Sequence, residues 1–152
     1  MPDVLAYFLT WTTYGTWLPG DDRGWVDHRE RGVQPPDPRR AGRARKLMKH
    51  DQVVLTDDQR LLVHRTIIES CQAVCWSVHA LNVRSNHVHI VLNAADQGPE
   101  RAMTFLKAWA SRKLNEIFSP SVRQRWWTRH GSTRYIKTDQ SLAKAIEYVN
   151  RQ

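Results

Sequence analysis

Ser77-Val78-His79-Ala80-Leu81-Asn82-Val83, Arg84-Ser85-Asn86 and His87-Val88-His89-Ile90-Val91-Leu92 together decide the fold. Two runs rich in β-branched and aliphatic residues flank a short polar break, which is the pattern of a β-hairpin. With Ser85-Asn86 as the turn, Arg84 faces His87, Val83 faces Val88, Asn82 faces His89 and Leu81 faces Ile90. Side chains alternate along a strand, so Asn82, Arg84, His87 and His89 share a polar face. Leu81, Val83, Val88 and Ile90 share the apolar one. Two neutral imidazoles on one face can hold a divalent cation and leave positions for a phosphate oxygen. The His-x-His pair alone equally fits two surface or hydrogen-bonded histidines.

Outward from the hairpin, the pattern continues on both sides. Val4 to Thr13 reads as a strand with Leu5, Tyr7, Leu9 and Trp11 on one side. Thr56-Asp57-Asp58-Gln59 has capping-box spacing, and Leu61, Ile68, Cys71 and Cys75 then follow a helical stripe to about Trp76. Pro99 suits the first position of a second helix with Met103, Leu106, Ala110, Leu114 and Ile117 inward, ended by Ser119-Pro120. Thr133 to Thr138 alternates as a strand, and Asp139 is expected to cap a last helix with Leu142, Ala145, Ile146 and Val149 on its apolar side. The order β-α-β-β-α-β with an added C-terminal helix is α+β and ferredoxin-like: a four-stranded antiparallel sheet with two helices on one face. The expectation is one domain over residues 1–152, interrupted by a long basic, proline-containing loop at about 20–53.

The chain carries a net charge of +8, and the placement of that charge narrows the function. Between Arg101 and Lys137 nine Lys and Arg stand against one acid, Glu116, so this segment alone accounts for the excess. Trp109, Trp126, Trp127 and Tyr135 interleave with it, a composition suited to a polyanion whose bases stack on aromatic rings. A solvated basic face over core tryptophans is the bland alternative. No apolar run reaches the length of a membrane span or a signal peptide, so a cytoplasmic location is expected. Cys71 and Cys75, four apart and without a second pair, read as core packing rather than a zinc site or disulfide.

Tyr148 and Gln152 are neighbours on the surface of the last helix, with Tyr148 roughly 100° from the centre of its apolar stripe. A tyrosine there can be held by packing while its hydroxyl stays free, though an ordinary amphipathic boundary tyrosine would look the same. Four stretches carry a family resemblance: Ser85 to Leu92; Trp126-Trp127 to Gly131-Ser132-Thr133-Arg134-Tyr135; Tyr148-Val149-Asn150-Arg151-Gln152; and Trp11 to Asp21. With them the chain resembles the single-tyrosine HUH transposases, of the insertion-sequence transposase A type, and within these the REP-associated tyrosine transposase-like branch.

The resemblance implies metal-dependent cleavage and rejoining of single-stranded DNA at hairpin or palindromic repeats. His87 and His89 would hold Mg²⁺ or Mn²⁺, with Gln152 as a third ligand, and Tyr148 would form a 5′-phosphotyrosine and release a 3′-hydroxyl. Some members of the family pair as homodimers that exchange the helix, and the sequence leaves that choice open. Arg112, Lys113, Arg129 and Arg134 are the expected phosphate contacts and Trp127 the expected base contact. Tyr14 and Tyr135 are rival nucleophiles without a helical glutamine partner. His130 and His79 are further candidate ligands, His79 being assigned to the apolar hairpin face and read as structural. The competing functions are a non-catalytic, domesticated binder of structured single-stranded nucleic acid, and a rolling-circle initiator or relaxase with the same chemistry.

Overall fold

A computed structural model describes residues 3–16, 33–48, 51–118 and 125–152, and the backbone of 25–26. Its main sheet contains β1 (Ala6–Thr12), β4 (Ser77–Val83), β5 (His87–Asn93) and β6 (Ser132–Ile136), in the order β4-β5-β1-β6. Every neighbouring pair is antiparallel, as the ferredoxin-like reading requires. The hairpin register is the expected one: Val83 pairs with Val88, Asn82 with His89 and Leu81 with Ile90.

The two faces of the sheet are covered unequally. On one face Leu9, Trp11, Val83, Val88, Ile90 and Leu92 form the main core with α2 (Asp57–Ala73) and α3 (Pro99–Phe118). On the other, Ala6, Ala80, Val91 and Ile136 meet Val149 of α4 (Asp139–Arg151), with Leu142, Ala145 and Ile146 alongside. Burying an aliphatic side chain contributes about 1.5–3 kcal/mol. Val149 is the one residue of α4 that is wholly buried, so this helix is held far less firmly than α2 or α3.

The helix starts follow from local chemistry. Thr56 accepts from the Gln59 amide while the Gln59 side chain accepts from the Thr56 amide, which completes the expected capping box. Pro99 opens α3. At α4 the cap is Thr138, whose hydroxyl accepts from the Ser141 amide; Asp139 is instead the first helical residue, where its charge suits the helix dipole.

Several local expectations are corrected. The buried side of α2 is Leu62, Val63, Thr66, Ile67 and Cys71, while Leu61 is 64% exposed. With Leu61, Leu62 and Val63 consecutive, periodicity alone could not say which of them faced the sheet. Ile117 lies beyond the covered part of α3 and is 58% exposed. Cys71 is a buried free thiol, but Cys75 is exposed at a positive φ of 61° in the turn after α2. A register shift between Val78 and Ala80 turns His79 out to solvent instead of into the core. The stretch expected to lack regular structure contains α1 (Pro38–Lys46) and a two-residue pair, β2 (Trp25–Val26) with β3 (Val33–Gln34). Asp37 caps α1, with its carboxylate accepting from the Arg40 amide. The end expected at Ser119-Pro120 and the Trp17 to Asp21 part of the opening motif lie outside the described residues. No described helix is long and apolar enough to cross a membrane.

Candidate active site

The face carrying α4 is also the face carrying both histidines. Across the sheet Asn82, His89, Thr10 and Ser132 form one row, and His87 pairs with Thr12 in the next. α4 covers only part of this face, leaving His87 half-buried while His89 is 8% exposed. The two imidazole centroids are 4.7 Å apart.

Each ring is oriented through Nδ1. His87 Nδ1 lies 2.7 Å from Asn86 Oδ1, an acceptor, so Nδ1 carries the proton and Nε2 keeps its lone pair. His89 Nδ1 lies 2.8 Å from the Thr10 hydroxyl, and the same tautomer follows when that hydroxyl accepts. Burial, then the Arg84 guanidinium, holds His87 below the ordinary histidine range. Burial, then His87, pushes His89 down to about 4. Both rings are therefore neutral at pH 7, the state a metal ligand requires. The pair fits two corners of a divalent cation site. Among the described residues no group of three or more His, Cys, Asp or Glu is placed to hold a metal ion.

Tyr148 is brought to this pair within the same chain. Its ring centroid is 5.6 Å from that of His89 and 5.9 Å from that of Phe8, and the side chain is 50% exposed. Two aromatic neighbours hold the ring while leaving it open to solvent, as its place at the stripe edge suggested. The end of the helix is fastened by Asn82, whose Nδ2 donates to the Val149 carbonyl at 3.0 Å and the Gln152 carbonyl at 2.7 Å. Both oxygens lie at the helix end, where the Val149 carbonyl otherwise has only the Gln152 amide at 3.4 Å as partner. Gln152 is the exposed C-cap of α4, fixed by its backbone rather than by its carboxamide.

The remaining candidates divide. Arg134 pairs with Phe8 on β6, which puts it on the histidine face, and it is exposed. Arg129 is exposed in the segment leading to β6. Arg112 and Lys113 belong to α3, across the sheet from the histidines; Arg112 stacks 4.7 Å over Trp109 and Lys113 pairs with Glu116 at 3.7 Å. Trp127 is corrected: it is 6% exposed, edge-on to Trp11, and its Nε1 donates to the Lys107 carbonyl, so its ring is core and offers no face to a base. Tyr135 lies on the opposite face against Tyr7, and His130 is an exposed loop residue at a φ of 66°. Thr10, Phe8 and the fastening role of Asn82 were missed. Asn82 alone left a signal, its position opposite His89. Two surface clefts, of about 650 and 410 Å³, are lined by neither His87, His89 nor Tyr148.

No curated protein sequence matches the chain. Among solved structures it is similar to a REP-associated tyrosine transposase bound to a REP hairpin, with a TM-score of 0.57 at 10% identity, over 98% of this chain and 66% of that one. The chain thus spans just under two thirds of that relative. It is also similar to a candidate transposase from Deinococcus radiodurans, with a TM-score of 0.56 at 15% identity, over 100% of this chain and 93% of that one. At such identities these two establish the fold. The family model described as "Transposase IS200 like" matches residues 46–152, which include both histidines, Tyr148 and Gln152. The chain belongs to the IS200-like transposase family.

Proposed function

We propose that this chain cuts and rejoins single-stranded DNA through a covalent bond between Tyr148 and a 5′-phosphate. The observation that carries the reading is the packing of the Tyr148 ring against His89, 5.6 Å between centroids, on the one sheet face left partly open. The Tyr148 hydroxyl oxygen attacks phosphorus, the bond from phosphorus to the 3′-oxygen breaks, and the phenolic proton is balanced by one taken up on the departing 3′-oxygen. Because the phosphodiester is exchanged rather than hydrolysed, a 3′-hydroxyl can reverse the step without ATP.

A phenol is mostly protonated at neutral pH and needs a polarised phosphate. Mg²⁺ or Mn²⁺ on the Nε2 atoms of His87 and His89, with the Gln152 carboxamide as third ligand, would supply charge withdrawal at the phosphate. Imidazole and amide ligands are uncharged, so such a cation keeps its full charge for the anionic substrate. Arg134 supplies a further positive charge on the same face, and Arg129 extends it along the rim. Arg112 and Lys113 would meet DNA only where it wraps to the α3 side. Hairpin-flanked DNA is the preferred substrate in this reading, supported by the fold shared with a relative solved on a REP hairpin.

The test uses a labelled hairpin oligonucleotide with an unpaired flank, incubated with Mg²⁺ or Mn²⁺. A denaturation-resistant protein–DNA adduct and a free 3′-hydroxyl product are expected. Both should disappear in Tyr148→Phe and in the His87→Ala, His89→Ala double variant. Tight binding with no adduct under any divalent cation would leave only a binding module.

A further inference from the structure

α1 bears Arg39, Arg40, Arg43, Arg45 and Lys46 in nine residues, contains no acid in its first turn and buries none of its side chains. Arg39, Arg43, Arg45 and Lys46 are all exposed, and none has an ion-pair partner among the described residues. Nine-residue helices are marginal in water without a packed face. Here the i,i+4 pair Arg39 and Arg43 and the i,i+3 pair Arg43 and Lys46 also repel one another. The Asp37 cap and the dipole's preference for cations in the last turn offset part of this repulsion, and a bound polyanion would relieve the rest.

The layout of the charges says which polyanion. At about 100° per residue, Gly42 lies between Lys46 and Arg39 on one side and Arg45 on the other, with Arg43 just beyond Arg39. Ala44 points nearly the opposite way, about 160° from Gly42, and Ala41 lies about 100° from it beyond Arg45. The outward arc is thus a smooth centre with cations on both flanks, and a side chain added at Gly42 would meet nothing within 4 Å. An α-helix about 10–12 Å across matches a major groove about 12 Å wide, whose two walls are phosphate backbones. Single-stranded DNA has one backbone and would use only one flank.

α1 is also rooted at the right place. Met48, two residues past its end, packs on Gly15, where a Cβ would come within 2.5 Å of Met48 Cε. Gln52 Nε2 donates to the Thr16 hydroxyl at 3.4 Å, and the Thr13 amide donates to the Asn86 carbonyl beside His87. The helix therefore leaves the fold from the end of the sheet at which His87 stands. All of α1 except Lys46 lies outside the segment the family model matches.

We propose that α1 is a docking helix for duplex DNA, entering the major groove of a hairpin stem next to the cleavage site. The choice of a hairpin rests on the proposed function, but binding can be judged separately from cleavage. The experiment measures affinity of the full chain, across a salt series, for a hairpin oligonucleotide with an unpaired flank and for the flank alone. Substituting Arg39→Gln, Arg43→Gln, Arg45→Gln and Lys46→Gln together should make the dependence of log K on log salt shallower by about 3.6 for the hairpin. Binding and adduct formation on the flank alone should be unchanged. Gly42→Leu, which leaves the charge intact, should weaken hairpin binding several-fold by holding the helix off the groove floor. An unchanged hairpin slope, an equal change on both oligonucleotides, or a neutral Gly42→Leu would each overturn the proposal. If the fourfold variant loses its fold, the Gly42→Leu comparison decides. If the parent chain forms no adduct at all, the cleavage reading fails while the slopes still judge α1.

Discussion

Replacing Asn82 by Ala removes both hydrogen bonds that fasten the end of α4 to β4, at 3.0 and 2.7 Å, and touches no reacting group. Each is a bond to a helix-end main-chain oxygen, and one is solvent-exposed, so together they contribute about 1–2 kcal/mol net. Since about 1.4 kcal/mol is a factor of ten, the ratio of undocked to docked α4 should rise roughly tenfold. A helix with one wholly buried side chain has little else to resist this. Hydrogen exchange should therefore show the last turn of α4 losing about tenfold protection while α2 and α3 keep theirs. Single-turnover adduct formation should slow by no more than that factor, with DNA affinity nearly unchanged. Asn82→Asp, which cannot donate and sets a negative charge against two carbonyls, should be at least as damaging. Unaltered exchange of α4 in Asn82→Ala would refute the reasoning, because the two bonds would then not hold the helix.

Thr10→Val keeps the shape of β1 but removes the hydroxyl beside His89 Nδ1. Loss of such an orienting partner should weaken Mn²⁺ binding by about 10–100-fold, read by titration calorimetry, with little change in melting temperature. The pH dependence follows from the lowered histidines. His89 is held down to about 4 by burial, against an ordinary 6.5 in the unfolded chain, so its contribution to stability is complete above 6.5. Between 6.5 and about 4 the unfolded chain binds the extra proton, and stability should fall as pH falls. Melting temperatures across this window should drop in the parent chain and drop less in His89→Gln; parallel profiles would contradict the assignment.

The hairpin was legible because alternation over two seven-residue strands and a short turn fix the register, and with it the pairing of Asn82 with His89. Tyr148 was legible as a stripe-edge residue because helical geometry is a local property. Packing partners were not: nothing in the pattern of β1 says that Thr10 meets His89 or that Phe8 supports Tyr148. Trp127 misled for a related reason. A tryptophan in an irregular segment carries no periodicity, and this one is fixed by a backbone bridge from Thr13 and an edge contact with Trp11. The histidine at position 79 was misplaced because a bulge adds a residue without a sequence mark.

The most direct measurement mixes two inactive chains, one Tyr148→Phe and the other His87→Ala with His89→Ala, and looks for a covalent DNA adduct by mass spectrometry. The account predicts an adduct on Tyr148 in the parent chain and none in the mixture, because the Tyr148 ring packs on His89 of its own chain. An adduct on the tyrosine of the histidine-less chain would contradict it.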